Sequence, residues 1–239
     1  MADQVEFLWR NLANLLIGFP NHRPGGLLMT ILLTASSLLV GLVIAVAVGS
    51  AQTSRWAPLR WLASGYCRII RGVSLLLLLL VVHQLLSTGR LGVETSSLTS
   101  AFVTLVLYAS AYQADIIASG VRAVPRLLID DARTMGASPS RGYLRVSLPY
   151  GLRVMRPALL TQAITVFKDS SVVVVLGVAD LTTTARIALG ADVGNAPYWL
   201  ITYLAVGFLY FVVALTLSRL VNRLDDGRSG GLGIPAFTS

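Results

Sequence analysis

Lys168 and Asp169 place two charges inside an apolar segment that runs from about Pro157 to Val178. Lys168 is the only lysine among the 239 residues. A charge at the centre of a membrane helix costs at least ~2.5–3.5 kcal/mol on insertion scales, so it must face protein or water. Thr161 and Thr165 precede Lys168 with i, i+4 and i+7 spacing and share its helix face. This face offers hydrogen bonds and a positive charge to a polar solute.

Two interpretations of the polar face remain open. In the first, the face lines a solute pathway, with Thr161, Thr165, Lys168, Asp169 and Ser170 as candidate residues. In the second, Lys168 and Asp169 pair with each other, or with another subunit, and only fix helix packing. We favour the pathway for Thr165 and Lys168 and the packing role for Asp169.

A polar, basic island from Ile129 to Pro149 is the second unusual stretch. Leu128, Ala132 and Met135 recur at i, i+4 and i+7, which predicts a short helix with one apolar stripe. Gly136 follows at the position that a helix C-terminal glycine occupies. Without a side chain there, the surface of another protein can approach the backbone closely.

The island also contains a second helix start. Ser138 is a helix-capping residue, and Pro139 suits the first helical turn. The sequence therefore predicts two short helices, the first within Ile129–Ala137, which meet beside Gly136 and end at Pro149. A solvated amphipathic loop is the alternative.

Motifs for catalysis and cofactor binding are missing from the sequence. It contains no Gly-x-x-x-x-Gly-Lys-Ser/Thr phosphate loop, no Gly-x-Ser-x-Gly and no His-Glu-x-x-His. Cys67 is the only cysteine, and His22 and His83 are far apart in the chain. We predict that this chain is not an enzyme and holds no metal or cofactor.

The composition indicates that membrane-spanning helices hold these residues in place. The chain is 55% hydrophobic and 13% charged, whereas soluble domains are about 25% charged. Long apolar runs predict about five membrane-spanning helices, since ~20 residues cross a ~30 Å hydrocarbon core. The predicted spans are Leu27–Ala51, Gly72–Ser87, Leu98–Ala118, Pro157–Val178 and Tyr198–Leu217.

These spans divide the chain into three parts. We predict a periplasmic or interfacial segment over 1–26, a transmembrane domain over 27–224 and a disordered cytoplasmic tail over 225–239. In the first span, Gly41, Ala45 and Gly49 recur every four residues and predict a helix-packing face.

Arginine distribution predicts the orientation. Of the 18 arginines, 14 fall on one side of the five predicted spans and four on the other. Short cytoplasmic loops are rich in Lys and Arg, so the basic island and the C-terminus are predicted in the cytoplasm and the N-terminus outside.

An ordered set of motifs resembles a known family. Asp130-Asp131-Ala132, then Gly136, then Leu148-Pro149 resembles the EAA loop of permease subunits of ABC importers, with Asp-Asp-Ala in place of Glu-Ala-Ala. The resemblance covers roughly 26–226, and four further motifs resemble those of the branch that handles polar amino acids. These motifs are Tyr112-Gln113-Ala114-Asp115-Ile116, Val124-Pro125, Lys168-Asp169-Ser170-Ser171 and Gly177-Val178-Ala179-Asp180-Leu181-Thr182. The family's Arg-Gly-Thr-Pro-Leu is Arg71-Gly72-Val73-Ser74-Leu75 here, and losing that proline predicts a missing kink.

The resemblance implies an all-α integral membrane protein with the type I importer permease fold, in a bacterial inner membrane. It implies a second permease subunit, identical or related, two ATP-binding subunits that hold ATP and Mg, and a periplasmic amino acid binding protein. It assigns the coupling of ATP hydrolysis to Asp130, Asp131, Ala132, Met135 and Gly136.

The substrate is expected to be a polar or charged amino acid, and acidic or amide side chains fit the charges within the spans better than basic ones. A stand-alone secondary transporter or channel subunit is the alternative, although no inverted repeat or filter is visible.

Overall fold

The computed structural model describes residues 2–19, 25–88 and 96–229, and this part of the chain is almost entirely helical. The α-helices are α1 (Ala2–Ile17), α2 (Gly26–Gln52), α3 (Ala57–Gly72), α4 (Leu75–Ser87), α5 (Ser97–Arg122), α6 (Arg126–Thr134), α7 (Pro139–Gly142), α8 (Leu148–Val154), α9 (Arg156–Asp169), α10 (Leu181–Gly190) and α11 (Trp199–Ser229). A π-helical turn, Tyr143–Ser147, joins α7 to α8, and 3₁₀ segments Ser170–Leu176 and Val193–Tyr198 follow α9 and α10.

Four helical stretches are long and apolar enough to cross a membrane: Gly26–Gln52, Ser97–Arg122, Arg156–Leu176 and Gly194–Arg219. They correspond to four of the five predicted spans. Three of them extend past the predicted bounds at both ends. Arg156–Leu176 begins one residue earlier than predicted and ends two residues before Val178.

The remaining predicted span, Gly72–Ser87, is only half of a bent pair. Helices α3 and α4 meet at an angle of 107°, and α4 alone has 13 residues, or ~20 Å at ~1.5 Å per residue. The kink predicted to be missing is therefore present. Its cause is local, because Val73 and Ser74 have extended ψ angles of 137° and 138° and interrupt the helix without a proline.

Helices α2 and α5 pack closely and run in the same direction. A Cβ at Gly41 would lie 3.2 Å from the Cβ of Ala109, and one at Gly49 would lie 2.8 Å from the carbonyl oxygen of Ala114. Ala45, between these glycines, is fully buried. The predicted packing face on α2 is confirmed. Two parallel helices need a return between them, and among the described residues the bent pair α3–α4 can supply it as a fifth crossing.

Helix α8 crosses α5 at a glycine pair. A Cβ on Gly120 would lie 2.5 Å from the carbonyl oxygen of Gly151, so only glycine fits there. The prediction that Pro149 ends the unit is wrong, because helical structure continues from Tyr143 to Val154. Pro149 lies in the first turn of α8, just after the wider π turn, where its missing N–H is tolerated.

The motif around Asp180 holds the bundle together at the start of α2. Asp180 is fully buried and caps α10 by accepting hydrogen bonds from the backbone N–H groups of Thr182 and Thr183. The backbone N–H of Gly26 donates to the hydroxyl of Thr184, in the first turn of α10. These contacts give a structural account of a motif that the sequence carries as a family signature.

The N-terminal segment was predicted to be periplasmic or interfacial, and the tail from 225 to be disordered. Helix α1 packs on the bundle through Leu15, which is 1% exposed and clusters with Leu181, Ala185 and Val206. At the other end, α11 continues to Ser229, so 225–229 are helical. The rest of the predicted tail, 230–239, lies outside the described residues, as do 20–24 in the N-terminal segment.

Candidate functional site

The basic island forms two short helices that meet beside a glycine, as predicted. Helix α6 begins at Arg126, after Pro125, and ends at Thr134, so it starts three residues earlier than the predicted Ile129. Gly136 follows with a φ of +78°, a conformation that side chains other than glycine rarely adopt. Ser138 caps α7 by accepting a hydrogen bond from the backbone N–H of Arg141 at 3.5 Å.

The island projects an apolar surface that this chain leaves uncovered. Helix α6 has no buried residue. Met135 is 87% exposed and Leu127 is 70% exposed. At Gly136 nothing lies within 4 Å of where a Cβ would stand. A large exposed apolar surface beside open backbone is typical of a site for another protein.

The acidic residues of the island are also exposed. Asp130 forms an exposed ion pair with Arg133, with 3.0 Å between carboxylate oxygen and guanidinium nitrogen. Asp131 is exposed, and Ala132 is half-buried. Exposed pairs of this kind contribute only ~0.3–0.5 kcal/mol, so the pair helps to shape α6 without fixing it.

The predicted polar face of α9 is present, with three of its residues side by side. Thr161, Thr165 and Lys168 are all exposed in this chain. The hydroxyl of Thr165 donates to the carbonyl of Thr161 at 3.1 Å. Ser170 does not belong to this face, because it is 1% exposed and its hydroxyl donates to the carbonyl of Phe167 at 2.7 Å.

Asp169 makes a contact that sequence reasoning missed. Its carboxylate accepts a hydrogen bond from the hydroxyl of Tyr108 on α5, at 3.1 Å. The ion pairs found within the described residues do not include one between Lys168 and Asp169. Asp169 thus joins α9 to α5, while Lys168 remains on the exposed face.

A second polar cluster lies between α3, α5 and the start of α9, around a cavity of about 490 Å³. The guanidinium of Arg71 pairs with the carboxylate of Asp115, and the side-chain amide of Gln52 donates to the same carboxylate at 2.7 Å. Arg71 also lies over the ring of Tyr112, 5.0 Å from its centre.

Sequence reasoning did not find this cluster. Arg71 and Asp115 are 44 residues apart, and nothing in the spacing of the chain indicates that they meet. The only available signal was that both residues belong to motifs of the family resemblance.

The helical spans, the polar face on α9 and the uncovered surface of the island define the class of the protein as a helical membrane permease subunit. Among the described residues, no group of three His, Cys, Asp or Glu side chains is placed to hold a metal ion.

Comparison with known proteins identifies the family. The family described as the binding-protein-dependent transport system inner membrane component matches residues 37–229, and the chain belongs to it. The glutamate/aspartate import permease protein GltK of Escherichia coli O6:H1 is 30% identical over 205 residues, which cover 83% of this chain and 90% of the relative. The L-cystine transport system permease protein TcyB of Bacillus subtilis is 31% identical over 201 residues, with 84% of each chain covered. The arginine transport system permease protein ArtQ of the same species is 28% identical over 194 residues, covering 81% and 86% of the two chains.

Solved structures agree with this assignment. A crystal structure of an amino acid ABC transporter with histidines matches with a TM-score of 0.78 and 27% identity, covering 94% of this chain and 97% of the other. An inward-facing MetNI methionine ABC transporter shares the fold, with a TM-score of 0.68 and 22% identity over 90% and 97% of the two chains. The chain is therefore a multi-pass membrane permease subunit of the amino acid ABC importer type, and the predictions of family, fold class and function are confirmed.

Proposed function

We propose that this permease subunit carries an acidic or amide amino acid into the cytoplasm, together with a second permease subunit, two ATP-binding subunits and a periplasmic binding protein. ATP and Mg belong to the ATP-binding subunits in this proposal. Lys168 carries the substrate assignment, because it is a lone cation on an exposed polar face within a span. A substrate carboxylate would compensate its charge.

The names of the relatives support an amino acid but differ in its kind. GltK is named for glutamate and aspartate, TcyB for cystine and ArtQ for arginine. A further Bacillus subtilis relative, GlnM, is named as a probable glutamine ABC transporter permease protein. Charge within the spans separates these possibilities. Asp169 is held by Tyr108 and Asp115 by Arg71, so neither is as available to a basic side chain as Lys168 is to an acidic one.

The proposed coupling surface consists of Asp130, Asp131, Ala132, Met135 and Gly136. An exposed apolar stripe on a short helix fits a groove in a partner protein, and Met135 at 87% exposure is the residue that gains most from being covered. Closure of the two ATP-binding subunits would then move α6 and, through α8 and α9, the polar face.

The proposed pathway follows Thr161, Thr165 and Lys168 along α9. Val172 lies past Ser170 in the 3₁₀ segment and is half-buried against the core, so the proposed pathway does not include it. Asp169 supports this face from behind by its bond to α5. In the same proposal the N-terminus is periplasmic, and the island and the C-terminus are cytoplasmic.

The test is uptake of labelled glutamate, glutamine, histidine and arginine by the assembled complex in proteoliposomes. We expect ATP-dependent uptake of glutamate or glutamine. The variant Lys168→Met should lose most of that uptake while the complex still assembles and hydrolyses ATP. Uptake of arginine alone would contradict the acidic or amide assignment, and uptake by this chain without ATP-binding subunits would favour a stand-alone transporter.

A further inference from the structure

The cavity beside α3 has a charge that its own residues do not balance. Three arginines line it, Arg68, Arg71 and Arg122, against the single carboxylate of Asp115. Arg71 pairs with that carboxylate, and the ion pairs found in the described residues do not involve Arg68 or Arg122. The cavity therefore presents two positive charges beyond its internal pair, which favours an anion.

The cavity lies at one end of the polar face of α9. Ala158 lines the cavity, and Thr161, Thr165 and Lys168 follow Ala158 at i+3, i+7 and i+10, along one side of the helix. From Ala158 to Lys168 the helix rises ~15 Å. The face that carries Lys168 therefore leads to the cavity.

Helix α5 provides the opposite wall of the same route. Tyr108 lies at the level of Asp169, to which it is hydrogen-bonded. Tyr112, Asp115 and Arg122 follow at i+4, i+7 and i+14, and all three line the cavity. The two helices thus present polar side chains along a common course, from the level of Lys168 to the level of Arg122.

The volume of the cavity and the charges that line it fit a small amino acid. A volume of about 490 Å³ is within the ~300–1,000 Å³ of small-molecule sites. Arginine matches a carboxylate with two parallel hydrogen bonds. An acidic amino acid has two carboxylates, one for each of Arg68 and Arg122.

We infer that this cavity is a second substrate site, at the inward end of the route, which binds the two carboxylates of an acidic amino acid through Arg68 and Arg122 before release. The inference rests on the proposed import of an acidic amino acid and extends it to residues outside the α9 face.

Glutamate and glutamine, which have nearly the same shape and differ by one charge, provide the test. In the assembled complex in proteoliposomes, Arg68→Gln and Arg122→Gln should each lower ATP-dependent glutamate uptake about tenfold, the effect of one lost charge-assisted contact. Glutamine uptake should stay within about twofold in the variant of the arginine that holds the side-chain carboxylate, because glutamine lacks that group. It should fall in the other variant, whose arginine holds the α-carboxylate that both amino acids have. Arg122→Lys, which keeps the charge, should recover part of the glutamate uptake.

Arg60→Gln and Arg153→Gln are the matched controls, because both arginines are exposed on α3 and α8 and neither lines the cavity. They should leave both uptakes unchanged. Equal losses of glutamate and glutamine uptake in both cavity variants would overturn the inference. If those equal losses came with loss of anionic phospholipid from the purified complex in native mass spectrometry, the cavity would be a lipid phosphate site instead.

Unchanged uptake of both amino acids in the variants would also overturn the inference, while leaving the proposed function intact. A wild-type complex that imports neither glutamate nor glutamine would overturn the proposed function, and the inference with it. Assembly is checked in each case by co-purification of all subunits and by ATP hydrolysis. If Arg122→Gln fails to assemble, the comparison rests on Arg68→Gln and on binding of labelled glutamate to the solubilised wild-type complex, with glutamine as competitor.

Discussion

The hydroxyl of Tyr108 donates a hydrogen bond to the carboxylate of Asp169, 3.1 Å away, and so joins two membrane helices, α5 and α9. The contact supports the packing role favoured for Asp169 and gives it a partner other than Lys168.

A double-mutant cycle measures that bond. Hydrogen bonds between membrane helices contribute ~0.6 kcal/mol on average and up to ~1.7 kcal/mol, so Tyr108→Phe should destabilise the subunit by about that amount. Asp169→Leu should cost at least as much, and the double variant should cost less than the sum, in denaturant unfolding of the purified protein. Strictly additive losses would show that the two side chains do not interact.

The fold could be predicted from the sequence where hydrophobic length decides it. Four spans follow from apolar runs, and the packing face of α2 follows from small residues at every fourth position, of which Gly41 and Gly49 now lie against α5. The bend between α3 and α4 could not be predicted, because it depends on the extended backbone of Val73 and Ser74, and neither residue type forces that conformation.

Local sequence patterns predicted part of the candidate site, and tertiary contacts that they do not encode form the rest. The helix–glycine–helix unit at Gly136 follows from local capping rules, and the structure has it. The polar face of α9 follows from helical periodicity, but Ser170 falls off it because the chain changes there from α-helix to 3₁₀. The pair of Arg71 and Asp115 is a tertiary contact across 44 residues, and only folding brings it together.

The glycine at the end of α6 can be tested for two separate requirements. At Gly136 the φ of +78° disfavours L side chains by ~1–2 kcal/mol, while a partner protein requires the space to stay open. Gly136→Asn should retain most uptake, because asparagine tolerates this conformation. Gly136→Trp should hydrolyse ATP but lose uptake by about tenfold or more, because the indole would prevent seating of α6.

Both quantities are measured in proteoliposomes, as amino acid taken up per ATP hydrolysed. Gly142→Trp is a control for added bulk on the same loop, since nothing lies within 4 Å of a Cβ there either. Normal coupling in Gly136→Trp would contradict the proposed seating. Equal losses in Gly136→Asn and Gly136→Trp would show that any side chain at this position is enough to disrupt coupling.

The close contact of α2 with α5 predicts a position-dependent effect of one substitution. Gly49→Val would place a Cβ 2.8 Å from the carbonyl oxygen of Ala114 and force the helices apart, at a cost of ~1–3 kcal/mol. Gly207→Val, in α11, is the matched control because nothing lies within 4 Å of its Cβ position. We expect the control to change the unfolding free energy by less than ~0.5 kcal/mol. Similar losses in both variants would show that general helix effects of valine, not packing, decide the result.

Two features together predict the orientation of the chain. Helices α2 and α5 run in the same direction, so α4 must end at the side of the membrane where α2 begins. The excess of 14 arginines over four then predicts that the other side is the cytoplasm.

Fusions of alkaline phosphatase, which is active only in the periplasm, and of green fluorescent protein, which fluoresces in the cytoplasm, test this orientation. A fusion after Thr88 should give phosphatase activity, and one after Asp226 should give fluorescence. Fluorescence at both positions would mean that α3 and α4 return to the side they came from, and phosphatase activity after Asp226 would reverse the orientation.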